Sequence, residues 1–148
     1  MEKKIGEHTF EAVAMGKKAL GMTYYNDIYI SSLPKTFFDC FYKPQYCGGY
    51  SSITKALHDV DLDWGEFIRY FEFASDSLCQ RTGYILELMC EEAGKNKEIE
   101  NILRILRKRV KNNTKLVPSG MAVGKYIKEW KVLNNLGKGN MLSWWYYG

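Results

Sequence analysis

With 148 residues, 46% of them apolar and 15% aromatic, the chain is long enough for one domain with a substantial core. No stretch approaches the roughly 20 apolar residues of a membrane helix, Met1-Glu2-Lys3-Lys4-Ile5-Gly6 lacks the apolar core of a signal peptide, and many aromatics beside only 3 Pro exclude a disordered chain. The net charge of +4 conceals a split: residues 1–100 carry 11 basic and 16 acidic side chains, a balance of −5, whereas residues 101–148 carry 10 basic side chains and one acid, Glu129, a balance of +9. Four cysteines, at 40, 47, 79 and 90, form no Cys-x-x-Cys pair, and the only histidines are His8 and His58. That supply offers no zinc-ligand spacing; free thiols and a soluble, cytoplasmic protein are the expectation.

The first third reads as strands. His8–Met15, Leu20–Tyr25 and Asp27–Ser31 are predicted to form a small antiparallel meander, with Asn26-Asp27 as a tight turn. From Ser32 the period becomes helical: Ser32 caps, Pro34 fits the first turn, and Leu33, Phe37 and Phe41 share a face until Pro44. Gly48-Gly49 breaks the chain, and a second helix from about Ser51 places Ile53, Ala56, Leu57 and Val60 on one stripe. Asp63 and Glu66 have capping-box spacing for a third helix bearing Trp64, Phe67, Ile68 and Phe71. Ser75-Asp76 opens a fourth, with Leu78, Thr82, Ile85, Leu86 and Met89 inward, which Gly94 stops. Asn96 caps a fifth, whose buried stripe is Ile99, Ile102, Leu103, Leu106 and Val110. Its opposite face carries Arg104, Arg107, Lys108 and Lys111. Asn112–Gly124 reads as a loop, and alternation over Tyr126–Leu133 predicts a strand. The aromatic tail Met141–Tyr147 is expected to add a strand to the same sheet, with cover for a partner's surface as the other placement.

Two patterns carry candidate chemistry. Gly48-Gly49 followed by Asp59-Val60-Asp61-Leu62 matches the string with which nucleotidyltransferases hold triphosphate oxygens at a helix start and Mg²⁺ between two strand carboxylates. Here the aspartates run into a helix capped by Asp63, and no third carboxylate on a later strand is evident. No P-loop or Gly-x-Gly-x-x-Gly string occurs, and neither histidine has a partner suited to nucleophilic catalysis. The second pattern is the basic helix. Arg104, Arg107, Lys108 and Lys111, backed by Lys115 and by Lys125 and Lys128, suit phosphates or an acidic partner, and nearby aromatics suit base stacking. A charged face opposite an apolar one is also what any surface helix shows.

Several segments together go beyond patterning. Ser31-Ser32-Leu33-Pro34-Lys35-Thr36-Phe37-Phe38-Asp39-Cys40 and Lys43-Pro44-Gln45-Tyr46-Cys47-Gly48-Gly49, then Leu62-Asp63-Trp64 and Gln80-Arg81-Thr82-Gly83-Tyr84-Ile85-Leu86-Glu87-Leu88, and finally Leu116-Val117-Pro118 and Glu129-Trp130-Lys131-Val132-Leu133-Asn134, resemble in order and spacing the C-terminal domain of AbiEi-type antitoxins. The resemblance runs from about residue 8 to 136. It implies the antitoxin and transcriptional-regulator component of a type IV toxin–antitoxin system: a non-catalytic domain that neutralises a nucleotidyltransferase-type toxin, without cofactor or metal. In that family an N-terminal winged helix binds promoter DNA; nothing resembling it precedes His8, so promoter reading through that module is not expected of this chain. Lys35 stands where the family has an acid-arginine pair, so a salt bridge made there is expected to be lost. Arg81 is expected to pair with Glu87 or Asp39 or to cap a carbonyl, Asp39 to cap or pair near the glycine turn, and Gly83 to admit a closely packed segment.

The expectation is therefore one α+β domain over residues 1–148. Strands over 8–31 and a C-terminal strand form one small antiparallel sheet, packed by about five helices within 32–111, and 112–148 supply loop, strand and tail. Its function is that of an antitoxin-like interaction domain that assists DNA binding. The alternatives are a nucleotidyltransferase using Asp59 and Asp61 and a general nucleic-acid module using the basic helix, here 99–111. The binding surface is assigned to Arg104, Arg107, Lys108, Lys111 and Lys115.

Overall fold

The computed structural model describes the backbone of residues 2–5, 8–11, 22–25 and 28–30 and the full residues 31–94 and 96–148. Strands β1 (Glu2–Ile5) and β2 (His8–Glu11) pair antiparallel, as do β3 (Met22–Tyr25) and β4 (Ile28–Ser31). The Asn26-Asp27 turn, Ala12–Met15 and Leu20 lie outside the described residues.

Helices follow where caps and apolar period agree. Helix α1 (Leu33–Tyr42) opens on Ser32, whose Oγ accepts from the Lys35 N–H, with Pro34 in the first turn. A 3₁₀ turn over Pro44–Tyr46 leads to Gly48 and Gly49, both in the left-handed region (φ 80° and 82°), so α2 (Gly49–Asp59) starts earlier than its first apolar residue suggests. Asp63 caps α3 (Trp64–Arg69), which tightens into a 3₁₀ turn over Tyr70–Phe73. The capping box closes on one side only, because Glu66 reaches instead to Ser32 Oγ (2.5 Å) and Tyr70 OH (2.7 Å). This ties the start of α1 to α3. Ser75 caps α4 (Asp76–Ala93) and Asn96 caps α5 (Lys97–Arg107).

The core lies between these helices. Phe38 and Phe71 meet edge-on at 5.0 Å, Phe67 packs on Phe71 at 5.0 Å, and Trp64 and Phe41 close on Phe67. Such tilted aromatic contacts add to the area each ring removes from water. The inward residues of α4 and α5, Leu78, Ile85, Leu86, Ile102 and Leu106 among them, complete the cluster.

The class is α+β, as expected; the strand arrangement differs. Strands β5 (Thr114–Lys115), β6 (Lys125–Ile127) and β7 (Val132–Asn134) form a mixed sheet in the order β5-β7-β6, with β5 parallel to β7 and β6 antiparallel. Both edges of β7 are filled by β5 and β6, and among the described residues no N-terminal strand joins this sheet. The expected strand over Tyr126–Leu133 is instead a hairpin. Lys131 takes the left-handed region (φ 51°) and the N–H groups of Trp130 and Lys131 bond back to Ile127 and Lys128, so four residues of apparent alternation form a turn. Part of the loop Asn112–Gly124 supplies β5, and Asn135 binds the backbone of Val117 and Met121 within it.

The tail does not add a strand. It forms α6 (Lys138–Met141) and α7 (Ser143–Tyr146), which bring the count to seven α-helices among the described residues. Met141 and Leu142 are fully buried. Buried Thr54 on α2 anchors them: its hydroxyl donates to the Met141 carbonyl (2.8 Å) and accepts from Trp144 Nε1 (2.8 Å). Trp145, Tyr146 and Tyr147 stay exposed. Among the described residues no helix is long and apolar enough to cross a membrane.

Candidate partner-binding surface

The basic side of α5 divides by what each charge touches. The helix ends at Arg107, short of Lys111, because its last turn tightens: Lys108, Arg109 and Val110 bond back three residues, to Ile105, Leu106 and Arg107. This turn swings Arg109, to which no site role was expected, towards the start of α4. Its guanidinium donates to Asp76 (2.6 Å) and to the carbonyls of Phe71 (2.9 Å) and Ala74 (2.6 Å). Lys111 approaches the other Asp76 oxygen (3.3 Å).

Asp76 gains twice, from these cations and from its place in the first turn of a helix. The Arg109 hydrogen bond, followed by that of Lys111, holds its carboxyl below the ordinary carboxylate value. A carboxyl lowered in the fold stabilises above its unfolded value, and the contribution is lost as pH falls through the folded one. Urea midpoints of the wild type and Asp76→Asn should therefore differ at neutral pH and converge in strong acid; parallel curves would reject this role.

Two more of the expected site residues are bound internally. Arg107 pairs with Glu87 (2.7 Å) and lies 5.1 Å from the centre of the Trp130 ring. Lys115 Nζ donates to the Gly120 carbonyl (2.8 Å). Arg104 donates to Asn101 (3.3 Å), and Arg104, Lys108, Lys125 and Lys128 have no ion pair among the described residues. Of the five residues assigned to binding, Arg104 and Lys108 are left exposed and without an acidic partner among the described residues.

Around Trp130 the late hairpin locks onto α4. Trp130 is fully buried, its indole N–H donates to Glu87, and its carbonyl accepts from Gln80 Nε2 (2.8 Å). Gln80 also binds the Asn112 carbonyl (2.7 Å). Arg81 donates to Thr114 Oγ1 (3.2 Å) and approaches the Tyr50 hydroxyl, so it pairs with neither Glu87 nor Asp39. Beside this joint a groove of about 850 Å³ runs between α4 and the hairpin. Glu87 and Glu91 line one wall, Lys125, Lys128 and Lys138 the other. Arg104 lines a second cleft of about 510 Å³ between α4 and α5, which shares Glu87 and Glu91 with the first. Glu87 is taken up by Arg107 and Trp130, and Lys138 by Glu92, so Glu91, Lys125 and Lys128 are the charges this groove offers to a partner carrying both signs of charge.

The nucleotidyltransferase string is split by the fold. Gly48 caps α2, Gly49 begins it and Asp59 ends it, roughly 15 Å away along the helix axis. Asp59 is exposed and tied to Lys55 (2.8 Å), which with His58 holds its carboxyl below the usual range. Asp61 is exposed in the connection to α3. Neither aspartate stands on a strand. His58 packs against Trp144 with the rings tilted and 4.8 Å apart; the His8 side chain lies outside the described ones. Among the described residues no group of three His, Cys, Asp or Glu could hold a metal ion. Compared with known proteins, the chain matches no protein-family model, no curated protein and no solved structure.

Proposed function

We propose that this chain is a non-catalytic interaction domain of the AbiEi antitoxin type, acting in the cytoplasm against a nucleotidyltransferase-type toxin. The observation that supports this reading is the joint between Gly83 and Trp130. The two resembling segments Gln80–Leu88 and Glu129–Asn134, 50 residues apart at Gln80 and Trp130, close on each other through Gln80, Gly83 and Glu87. The residues behind the resemblance thus build the fold, and contact with a partner falls to the exposed charges beside them. Arg104 and Lys108 are assigned to that contact. DNA is a secondary partner of the same cations together with Lys125 and Lys128, which have no acidic partner among the described residues and suit phosphates.

Co-expression with a nucleotidyltransferase-fold toxin encoded beside this chain tests the proposal. Growth should be restored by the wild type and at least tenfold less by Arg104→Glu/Lys108→Glu, with an unchanged unfolding midpoint. Absence of rescue by the wild type rejects the antitoxin reading. Full rescue by the double variant rejects the assignment of the contact to these two cations.

A further inference from the structure

We infer that Cys40 and Cys47 form a reversible dithiol–disulfide couple that is oxidised by peroxide. Cys40 sits in the last turn of α1, and the chain returns to it through successive tight turns. The Lys43 N–H bonds to the Asp39 carbonyl (2.9 Å), Tyr46 to Lys43 (3.1 Å) and Cys47 to Pro44 (3.0 Å). This reversal brings the two thiols into side-chain contact. Both are only half-buried, at the edge of the core, so a small oxidant can reach them. Cys79 and Cys90 differ on each count: they are buried in α4, and burial pushes the Cys79 thiol up to about 11. Gly48 and Gly49 follow Cys47 directly, so the turn can adjust there without unwinding α2.

The two sulfurs differ in backbone setting, one in a helix and one in a turn. Contact between them lowers the pKa of Cys47 and raises that of Cys40, while the Asp39 charge acts against ionisation of both. Cys47, in the turn that Gly48 and Gly49 allow to move, supplies the attacking sulfur, and Cys40, fixed in the last turn of α1, the resolving one. The Cys47 thiolate sulfur attacks one oxygen of hydrogen peroxide, the O–O bond breaks, and the departing hydroxide takes a proton to leave as water. The resulting Cys47 sulfenic acid is attacked by the Cys40 sulfur; the S–S bond forms, the S–O bond breaks, and the Cys40 proton leaves with the hydroxyl as a second water. Two thiols are oxidised and one peroxide is reduced to two waters. A dithiol reductant reverses the bond by exchange.

Peroxide treatment of the full chain, alkylation and tryptic mass analysis provide the test. The Lys43-Pro44 bond resists trypsin, so both cysteines fall in the single peptide Thr36–Lys55. That peptide should become two hydrogens lighter and refuse alkylation, and dithiothreitol should restore it, while Cys79 and Cys90 stay reduced. In Cys40→Ser, dimedone should trap a sulfenic acid at Cys47; in Cys47→Ser, residue 40 should remain unlabelled. Wild-type protein that keeps both thiols, proceeds to sulfinic acid without the cross-link, or forms only intermolecular disulfides overturns the inference, whether or not the variants fold.

Discussion

Gly83→Ala should lower stability by about 3 kcal/mol, the upper end of the usual cost of overpacking. A Cβ built at Gly83 meets Trp130 Cζ3 at 2.2 Å, Cη2 at 2.4 Å and Cε3 at 2.8 Å. These are atoms of a rigid, fully buried ring, which cannot yield as the end of a flexible chain can. Moving the ring would also strain its bond to Glu87 and its contact with Arg107, and so detach the β6–β7 hairpin from α4. The expectation inverts when the ring is removed. In a Trp130→Leu background the space above residue 83 is vacated, and the better helix propensity of alanine, worth about 1 kcal/mol, should make Gly83→Ala neutral to stabilising. Urea unfolding of the four proteins measures this cycle. An equal cost of Gly83→Ala in both backgrounds would show that the ring is not what residue 83 must accommodate.

The helical middle of the chain was legible because its signals are local. Ser32, Ser75 and Asn96 each announce a helix start, and each side chain accepts from an N–H two or three residues on. The apolar stripe of α5 is buried as its spacing predicts, Val110 only in part, beyond the helix end. Gly83 was legible as a point of close approach, but nothing near it in sequence names Trp130 as the intruder. The hairpin was misread for a physical reason: Tyr126, Lys128, Trp130 and Val132 alternate with polar and apolar neighbours whether or not a turn interrupts them. Only the left-handed Lys131 and the burial of Trp130 distinguish the two cases. The candidate surface suffered most, because one charge on a helix face looks like another in sequence. Arg107 and Lys111 differ from Arg104 and Lys108 only through Glu87 and Asp76, which lie 20 and 35 positions away and become neighbours by folding.

Lys35 exposes the same gap between sequence and fold, and removal of its partner Asp39 has the second large expected effect. Its place in the resembling segment led to the expectation of a lost salt bridge, yet Lys35 makes its own with Asp39, one turn along α1. The lysine side chain is 1% exposed and rests near the Phe38 ring, whereas Asp39 keeps 31%. Burial pushes the Asp39 carboxyl up, outweighing the opposing pull of the Lys35 ammonium. Desolvation therefore exceeds attraction on the acid's side of the pair, the situation in which a buried ion pair contributes little net stability but is costly to halve. Asp39→Ala should cost about 3 kcal/mol, because it strands an ammonium that cannot reach water. Lys35→Met alone should cost far less, since it leaves an aspartate already in contact with solvent. Lys35→Met/Asp39→Leu should lie within about 1 kcal/mol of the wild type or above it, as apolar groups of similar volume need no partner. Denaturant midpoints for the three variants decide the matter. A double variant as unstable as Asp39→Ala would mean that the pair itself, and not the relief of a stranded charge, holds α1 in place.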